Sequence, residues 1–538
     1  MKKYTLTVII TLLYFIPGSI AQTISSEIIE FPIDNKAGNN YKLYPLEENG
    51  AILLLKSNDI EKGEIKLVFS KLDKELNQQW TRAFPVKFTS VIIDHYITDS
   101  YIYFLVSPKE TEYQILQLGI ESKELRLIEY ENIKDYFITK FKVVGDLCFF
   151  GGSIKTYPAV IGYNTKTGRK IILSSVNQLK ADLVDLTVDK TDEVISVVLF
   201  QSNPANKRGL YINRYDFEGR LISNFFYKSE PGFRFLAYRA IIINSLETLF
   251  LGTYALRGSD EAHGIYAMKV CEEETVFLKT YPFVEMDYFL KFLRERPQNR
   301  ILRKVMERKN SDKDKPLYYS YNVFLQNLAF RGDEIITTVD IFKTKLDRGG
   351  TINFIEEGNS FAGYGSRLDP SLERFVRANF NYKEFAPSRI PLERLNPNKP
   401  FPTEFDYLST FSCAFNIDGE LLWGNSYVYK NDVSTFIPMY MSAIAPQTDS
   451  LIMARIVYTE DKLEEIRFKV SDYKTYTDST TILELPPFLE RDKIEWYQYG
   501  GFSHWYENHF LASGIKEVKS GARREVFFLR KITYQTEK

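Results

Sequence analysis

Along most of the chain, apolar and polar positions alternate with a period of two, the spacing that puts successive side chains on opposite faces of a β-strand. The runs are short and recur as a hairpin: an alternating strand, a tight polar turn, then a more continuously apolar strand. The unit is clear in YKLYPLEENGAILLLKS, with Asn49 and Gly50 at the turn, and in ITKFKVVGDLCFFGGS, with Gly145 and Asp146. The pattern turns again at Asp99-Ser100, Thr191-Asp192, Asn244-Ser245, Gly332-Asp333, Thr448-Asp449 and Glu507-Asn508, giving eight units. Such residues tolerate the positive φ, or supply the side-chain cap, that a short hairpin requires. A third strand follows each hairpin, as in IKLVFSKLD, YQILQLGI and GLYINRYDF, and usually a fourth, such as QQWTRAF or ELLWGNSYV.

Four antiparallel strands repeated at about 45–55 residues are the signature of a β-propeller. The turns are spaced 50, 46, 46, 53, 88, 116 and 59 residues apart, so the two long steps are ordinary steps carrying insertions. The expected fold is all-β: a propeller of eight four-stranded blades, with seven as the alternative count. The eighth unit ends at EVFFLRKITY without an outer strand, while SSEIIEFPI near the N-terminus has no unit of its own. That N-terminal segment is expected to supply the missing strand and close the ring, removing a free sheet edge.

The first residues stand outside the repeat. Lys2 and Lys3 precede an apolar run from Leu6 to Pro17, and Ser19 and Ala21 place small residues where a signal peptidase reads. Residues 1–21 are expected to be a secretory signal peptide cut before Gln22. Spanning a bilayer takes about 20 apolar residues, more than this run offers. No cysteine precedes Cys148, so lipid attachment at a new N-terminal cysteine is excluded. Residues 22–538 then form one propeller domain with no transmembrane segment. The expected location is outside the cytoplasm, in the periplasm rather than the medium, since no sorting domain is visible after the eighth unit.

Composition adds three limits. Aromatic residues make up 15% of the chain, with 36 Tyr and 40 Phe, a bias that suits half-buried strands. The formal net charge is −1, which gives no field for nucleic acid. The three cysteines sit far apart in the apolar runs LCFF, MKVCE and FSCAF, so Cys148, Cys271 and Cys413 read as buried free thiols and not as a disulfide framework.

There is no Trp-Asp repeat, and the Gly-Gly pairs, at Gly151-Gly152, Gly349-Gly350 and Gly500-Gly501, do not recur from unit to unit as in a kelch repeat. The pieces FLASGI and REVFFLRKITY, with the basic FLRERPQNRILRKVMERK segment ahead of a strand pair, resemble a group of exported β-propeller-like proteins of Bacteroidota-type bacteria. The resemblance extends over most of the chain and implies no activity.

The insertions are the main functional candidates. The first, 283–315, carries ten basic residues against four acidic ones between Lys291 and Lys315. Pro297 can open a helix over Gln298 to Lys309, with Ile301, Leu302 and Val305 on one apolar face. Arg294, Arg296, Arg300, Arg303, Lys304 and Arg308 are then candidate contacts to an acidic protein surface or anionic lipid headgroups; the alternative is a solvated helix packed on the rim. The second insertion, 344–406, is rich in proline and aromatic residues, including Phe361, Tyr364, Phe375, Phe380 and Tyr382. A loop of that length and aromatic content is expected to lie against its own propeller or a partner.

No catalytic residue, metal or cofactor is assigned. His504 and His509 flank a turn and, with 504 opposite 511, would fall diagonally on one face, but zinc needs a further ligand. Asp94 and His95 are neighbours and point to opposite faces unless a bulge intervenes. Asp182, Asp185, Asp189 and Asp192 lack the glycine-turned loop of a calcium site. The leading functional expectation is a non-enzymatic scaffold for a partner in the cell envelope, such as an outer-membrane assembly or secretion machine. The alternative is a glycan-binding or glycoside-cleaving propeller with Asp94 and Asp185 facing a channel.

Overall fold

The structure is a computed structural model. It describes residues 22–536 apart from 34–40, 311–316, 348–354, 361–400, 435–441, 459–463, 473–477, 484–492 and gaps of four residues or fewer. The signal peptide expected over 1–21 lies outside the described residues, as do Phe361, Tyr364, Phe375, Phe380 and Tyr382.

Eight antiparallel sheets form the blades of a propeller, the first seven running from an inner to an outer strand in chain order. Blades one to five span 41–87, 91–129, 136–172, 182–228 and 233–282. Blade six spans 322–434, with its inner strand split into Asn322–Leu325 and Ala329–Arg331, and blade seven spans 442–483. Blade eight takes three strands from the C-terminus, Lys493–Tyr506, His509–Ser520 and Ala522–Thr536. Its outer strand is Gln22–Pro32, which pairs antiparallel with Ala522–Thr536 from Gln22↔Thr536 to Pro32↔Val526. The expected eight blades and N-terminal closure are both present.

The core lies between blades. Phe69 packs on Phe104 at 5.2 Å between blades one and two, and the Phe141 and Phe150 rings stack at 5.5 Å within the cluster joining blades two and three. Each fully buried side chain of this kind contributes roughly 1.5–3 kcal/mol. The inner strands of blades two to five all break register at one level: Ile92/Asp94, Ile138/Lys140, Leu183/Asp185 and Phe235/Ala237. A bulge there sharpens the local twist where the strands converge on the ring axis. Gly50 is required where it sits. It has φ +94°, and a Cβ would lie 2.0 Å from the Leu72 carbonyl oxygen.

Because every blade is an up-and-down meander, the links fall on two faces. Turns between first and second strands, and between third and fourth, lie on one face. Links between second and third strands, and between successive blades, lie on the other. Both insertions are of the latter kind, so they share a face, called here the insertion face. The second insertion is shorter than its sequence implies. The ladder of blade six runs out to Lys345↔Glu404 and Asp347↔Phe401, so the linking segment is 348–400. Within it, Ile355–Glu356 pairs with Asn359–Ser360. Gln22 and Thr536 lie together on the opposite face. Cys148 and Cys413 are buried, Cys271 is half-buried, and all three are free thiols.

Candidate interaction surface

The first insertion is built from the residues that anchor it. After the outer strand of blade five, the chain makes a 3-10 turn at Phe283–Glu285 and a second at Phe289–Phe292, with Tyr288 between them at φ 64°. Phe283 and Phe289 are fully buried and stack at 4.3 Å, and Phe289 meets Phe411 of blade six edge-on at 5.3 Å. The following helix, α1, spans Glu295–Lys309. It begins before Pro297. The first turn has no i−4 acceptors for its N–H groups, so proline costs nothing there, and Gln298 makes the first such bond, to the Arg294 carbonyl at 3.1 Å. Ile301 and Val305 are buried and Leu302 is partly buried against the same cluster, as the apolar spacing requires.

Polar contacts fix the helix further. Arg308 donates to Glu285 at 2.7 Å in a pair about one-quarter exposed on each side. The Lys304 ammonium lies 5.8 Å from the Tyr319 ring centre, and Lys291 lies 4.3 Å from that of Tyr288. The segment leading into blade six is clamped to blade five by paired Ala262 and Tyr321 backbone bonds of 2.9 Å, and Ser320 donates to Glu261 at 2.6 Å. Burial pushes the Tyr321 hydroxyl up to about 12.

The six basic residues singled out in the sequence therefore divide. Arg308 is a tether holding the helix to Glu285. Arg294, Arg296, Arg300, Arg303 and Lys304 are exposed. Arg296, Arg300 and Arg303 follow one another at i, i+4 and i+7 along the side of α1 opposite Ile301 and Val305, with Lys304 beside them. Glu307 offsets part of this charge, lying 3.6 Å from Arg303. Exposed Met306, 64% accessible, adds an apolar element that sequence reasoning passed over, although it breaks an otherwise charged run. Arginine and methionine are the types enriched at protein interfaces. Elsewhere on this face Ile60 and Phe88 of blade one are exposed, at 59% and 51%, with the Phe88 N–H bonded to the Gly63 carbonyl.

The other candidates are accounted for one by one. Asp94 lies at the blade-two bulge. Its carboxylate accepts the N–H groups of His95 at 2.8 Å and of Phe141 in blade three at 3.1 Å, and burial raises its pKa above the usual carboxylate range. Asp185 accepts the Leu186 N–H at 2.9 Å. The expected opposition of His504 and residue 511 is corrected: His504 pairs with Phe510 and Tyr506 with His509, because the strand bulges at Trp505. His504 Nε2 lies 2.9 Å from the Glu507 carbonyl, and His509 Nδ1 lies 2.8 Å from the Thr533 hydroxyl. Among the described residues no group of three His, Cys, Asp or Glu side chains is placed to hold a metal ion.

A fully buried polar cluster was not anticipated. It joins blades six and seven. Arg455, Asp432 and Asp340 are fully buried, with Arg455 Nε bonded to Asp432 at 3.0 Å and Asp340 3.8 Å from the guanidinium. The guanidinium carbon lies 3.9 Å from the ring centre of Tyr407 and 4.7 Å from that of Tyr429. Asp340 also accepts from Thr410, from Gln326 at 2.6 Å and from Ser442 at 3.0 Å. Burial works against the Arg455 charge, but the neighbouring carboxylates more than offset it and hold the group protonated.

No family model matches the chain, and no curated protein matches it. Solved structures with a similar course are propellers or contain one. A prolyl endopeptidase structure aligns over 90% of this chain and 54% of its own, at 8% identity and TM-score 0.39; this chain thus spans about half that enzyme's length. The β-propeller domain of the Trilobed protease from Pyrococcus furiosus aligns over 82% of this chain and 99% of its own, at 9% identity and TM-score 0.36. TolB from Acinetobacter baumannii aligns over 62% and 65%, at 11% identity and TM-score 0.26.

Proposed function

We propose that this chain is an exported, non-enzymatic propeller of the cell envelope, located in the periplasm, whose insertion face docks an acidic protein partner, such as a component of an outer-membrane assembly or secretion machine. The observation that carries the reading is α1 itself. Its apolar side is buried against blades five and six, and Arg308 ties it to Glu285. The helix is therefore a fixed part of the body, and its cations are presented at a set spacing. A rigid positive stripe raises encounter rates with an acidic surface and selects against basic ones. Export rests on the leader-like first 21 residues and on the resemblance to exported Bacteroidota-type proteins. No helix among the described residues is long and apolar enough to cross a membrane.

The test is charge reversal at Arg296→Glu, Arg300→Glu and Arg303→Glu, beside a second variant in which 350–398 is replaced by a short linker that leaves the Lys345↔Glu404 ladder intact. Proteins co-purified from native envelopes are quantified by mass spectrometry at low and high salt. One membrane-associated partner with an acidic surface should be lost in the charge-reversed protein and weakened by salt. If that protein melts like the parent and keeps every partner at every salt concentration, the docking function is wrong.

A further inference from the structure

The ring closes on a strand that is chemically unlike an ordinary blade edge. One side of Gln22–Pro32 alternates apolar and polar: Ile24 and Ile28 pack into the cluster between blades seven and eight, while Ser26 and Glu30 lie between and beyond them. The other side packs Ile29 and Phe31 into the cluster between blades eight and one, where the Tyr41 and Phe527 rings stack at 4.5 Å. Beneath the polar positions are two buried cations of blade eight. Arg530, fully buried, donates to the Ser26 hydroxyl at 2.8 Å and to Tyr499 at 3.3 Å. Lys516, also fully buried, pairs with Glu30. Inward-pointing charge on an edge is a known way to keep the wrong strand from adding to a sheet. Here the charges sit where a strand with acceptors four residues apart on one face meets both.

We infer that the outer edge of blade eight is a strand-binding site with a polar key, and that Gln22–Pro32 occupies it as a tethered ligand. Closure of the ring is then a docking step, separable from the folding of the other three strands of blade eight. Lys516 and Arg530 read Glu30 and Ser26, and the two apolar rows supply most of the affinity.

The experiment uses the full chain with a site-specific protease sequence placed within 34–40. After cleavage, native mass spectrometry follows retention of the N-terminal strand and its replacement by a labelled synthetic peptide of Gln22 to Ile33. The wild-type strand is expected to stay bound after the cut and to exchange slowly with the peptide. Glu30→Gln takes this carboxylate away from the buried Lys516 ammonium and should release the strand on the order of a hundredfold faster; Ser26→Ala should release it about tenfold faster. Lys516→Met combined with Glu30→Met removes both charges and should restore slow release. Circular dichroism before the cut shows that each variant is folded. Immediate loss of the wild-type strand on cutting overturns the inference, as does release of the Glu30→Gln strand at the wild-type rate.

Discussion

Replacing Arg455 tests how blades six and seven are held together. Arg455→Ala strips the counter-charge from Asp432 and from Asp340, both fully buried, and opens a void between Tyr407 and Tyr429. Removing one member of a buried ion pair costs about 3–5 kcal/mol, and the void adds to that. Asp340 keeps its donors Thr410, Gln326 and Ser442, which places the expected loss near 4 kcal/mol. A chain of eight blades need not unfold in one step, so the assay is native-state hydrogen exchange of the second strand of blade seven, Ser450–Tyr458. About 4 kcal/mol corresponds to roughly a thousandfold faster opening. Leu147–Ile154 of blade three serves as the internal control and should not change. Arg455→Met with Asp432→Leu swaps the pair for apolar volume and should return exchange to within about tenfold of the parent. Less than tenfold acceleration in Arg455→Ala, or a double variant worse than Arg455→Met alone, would refute the claim that the charge pair bolts this seam.

The same physics sets the response of other positions. Val305→Ala, which opens a cavity under α1, should cost about 2 kcal/mol locally and accelerate proteolysis within 295–309 while the blade strands stay protected. Gly50→Ala forces a side chain onto the Leu72 carbonyl at positive φ and should lower the melting temperature of the whole ring by several degrees, whereas Gly145→Ala, with nothing within 4 Å of its Cβ, should cost less. Burial holds the pKa values of His504 and His509 below the ordinary 6.5, so they stay neutral in the fold while the unfolded chain takes up protons below that value. Acidification from about pH 7 to 5 therefore lowers stability, and His504→Gln with His509→Gln should flatten that loss in thermal melts. Asp94 acts in the opposite sense: its raised pKa makes its contribution greatest in acid and smaller as pH rises from the carboxylate range.

The parts that were legible share a short-range cause. Period-two alternation and turn chemistry are local, so eight hairpins could be located from Asn49 to Asn508. The surplus strand at SSEIIEFPI matched the missing one after Ala522–Thr536 because closure leaves one strand at each end of the chain. The apolar face of α1 was visible in Ile301, Leu302 and Val305, though its start was misplaced because Pro297 marks the first turn and not its first residue. What escaped was non-local. Asp432 and Arg455 lie 23 residues apart, Asp432 beside Lys430 in a mixed strand and Arg455 alone in an apolar one, and nothing nearby distinguishes them from solvent-facing residues. The division among the basic residues was equally hidden, since Arg308 becomes a tether only when Glu285 folds back beneath it. The ladder beyond Phe342 read as loop because Pro402 and the charged residues around it mask the pairing of Lys345 with Glu404.

The most direct test of the docking claim is site-specific photocrosslinking in intact cells. A photoreactive residue replaces Arg300 or Arg303 on α1 and, as the control on the opposite face, Ile417. One discrete adduct is expected from both helix positions, none from Ile417, and the adduct is lost when the neighbouring Arg296 is reversed to Glu. An adduct that forms equally from Ile417, or one that persists unchanged after charge reversal, would contradict the docking claim.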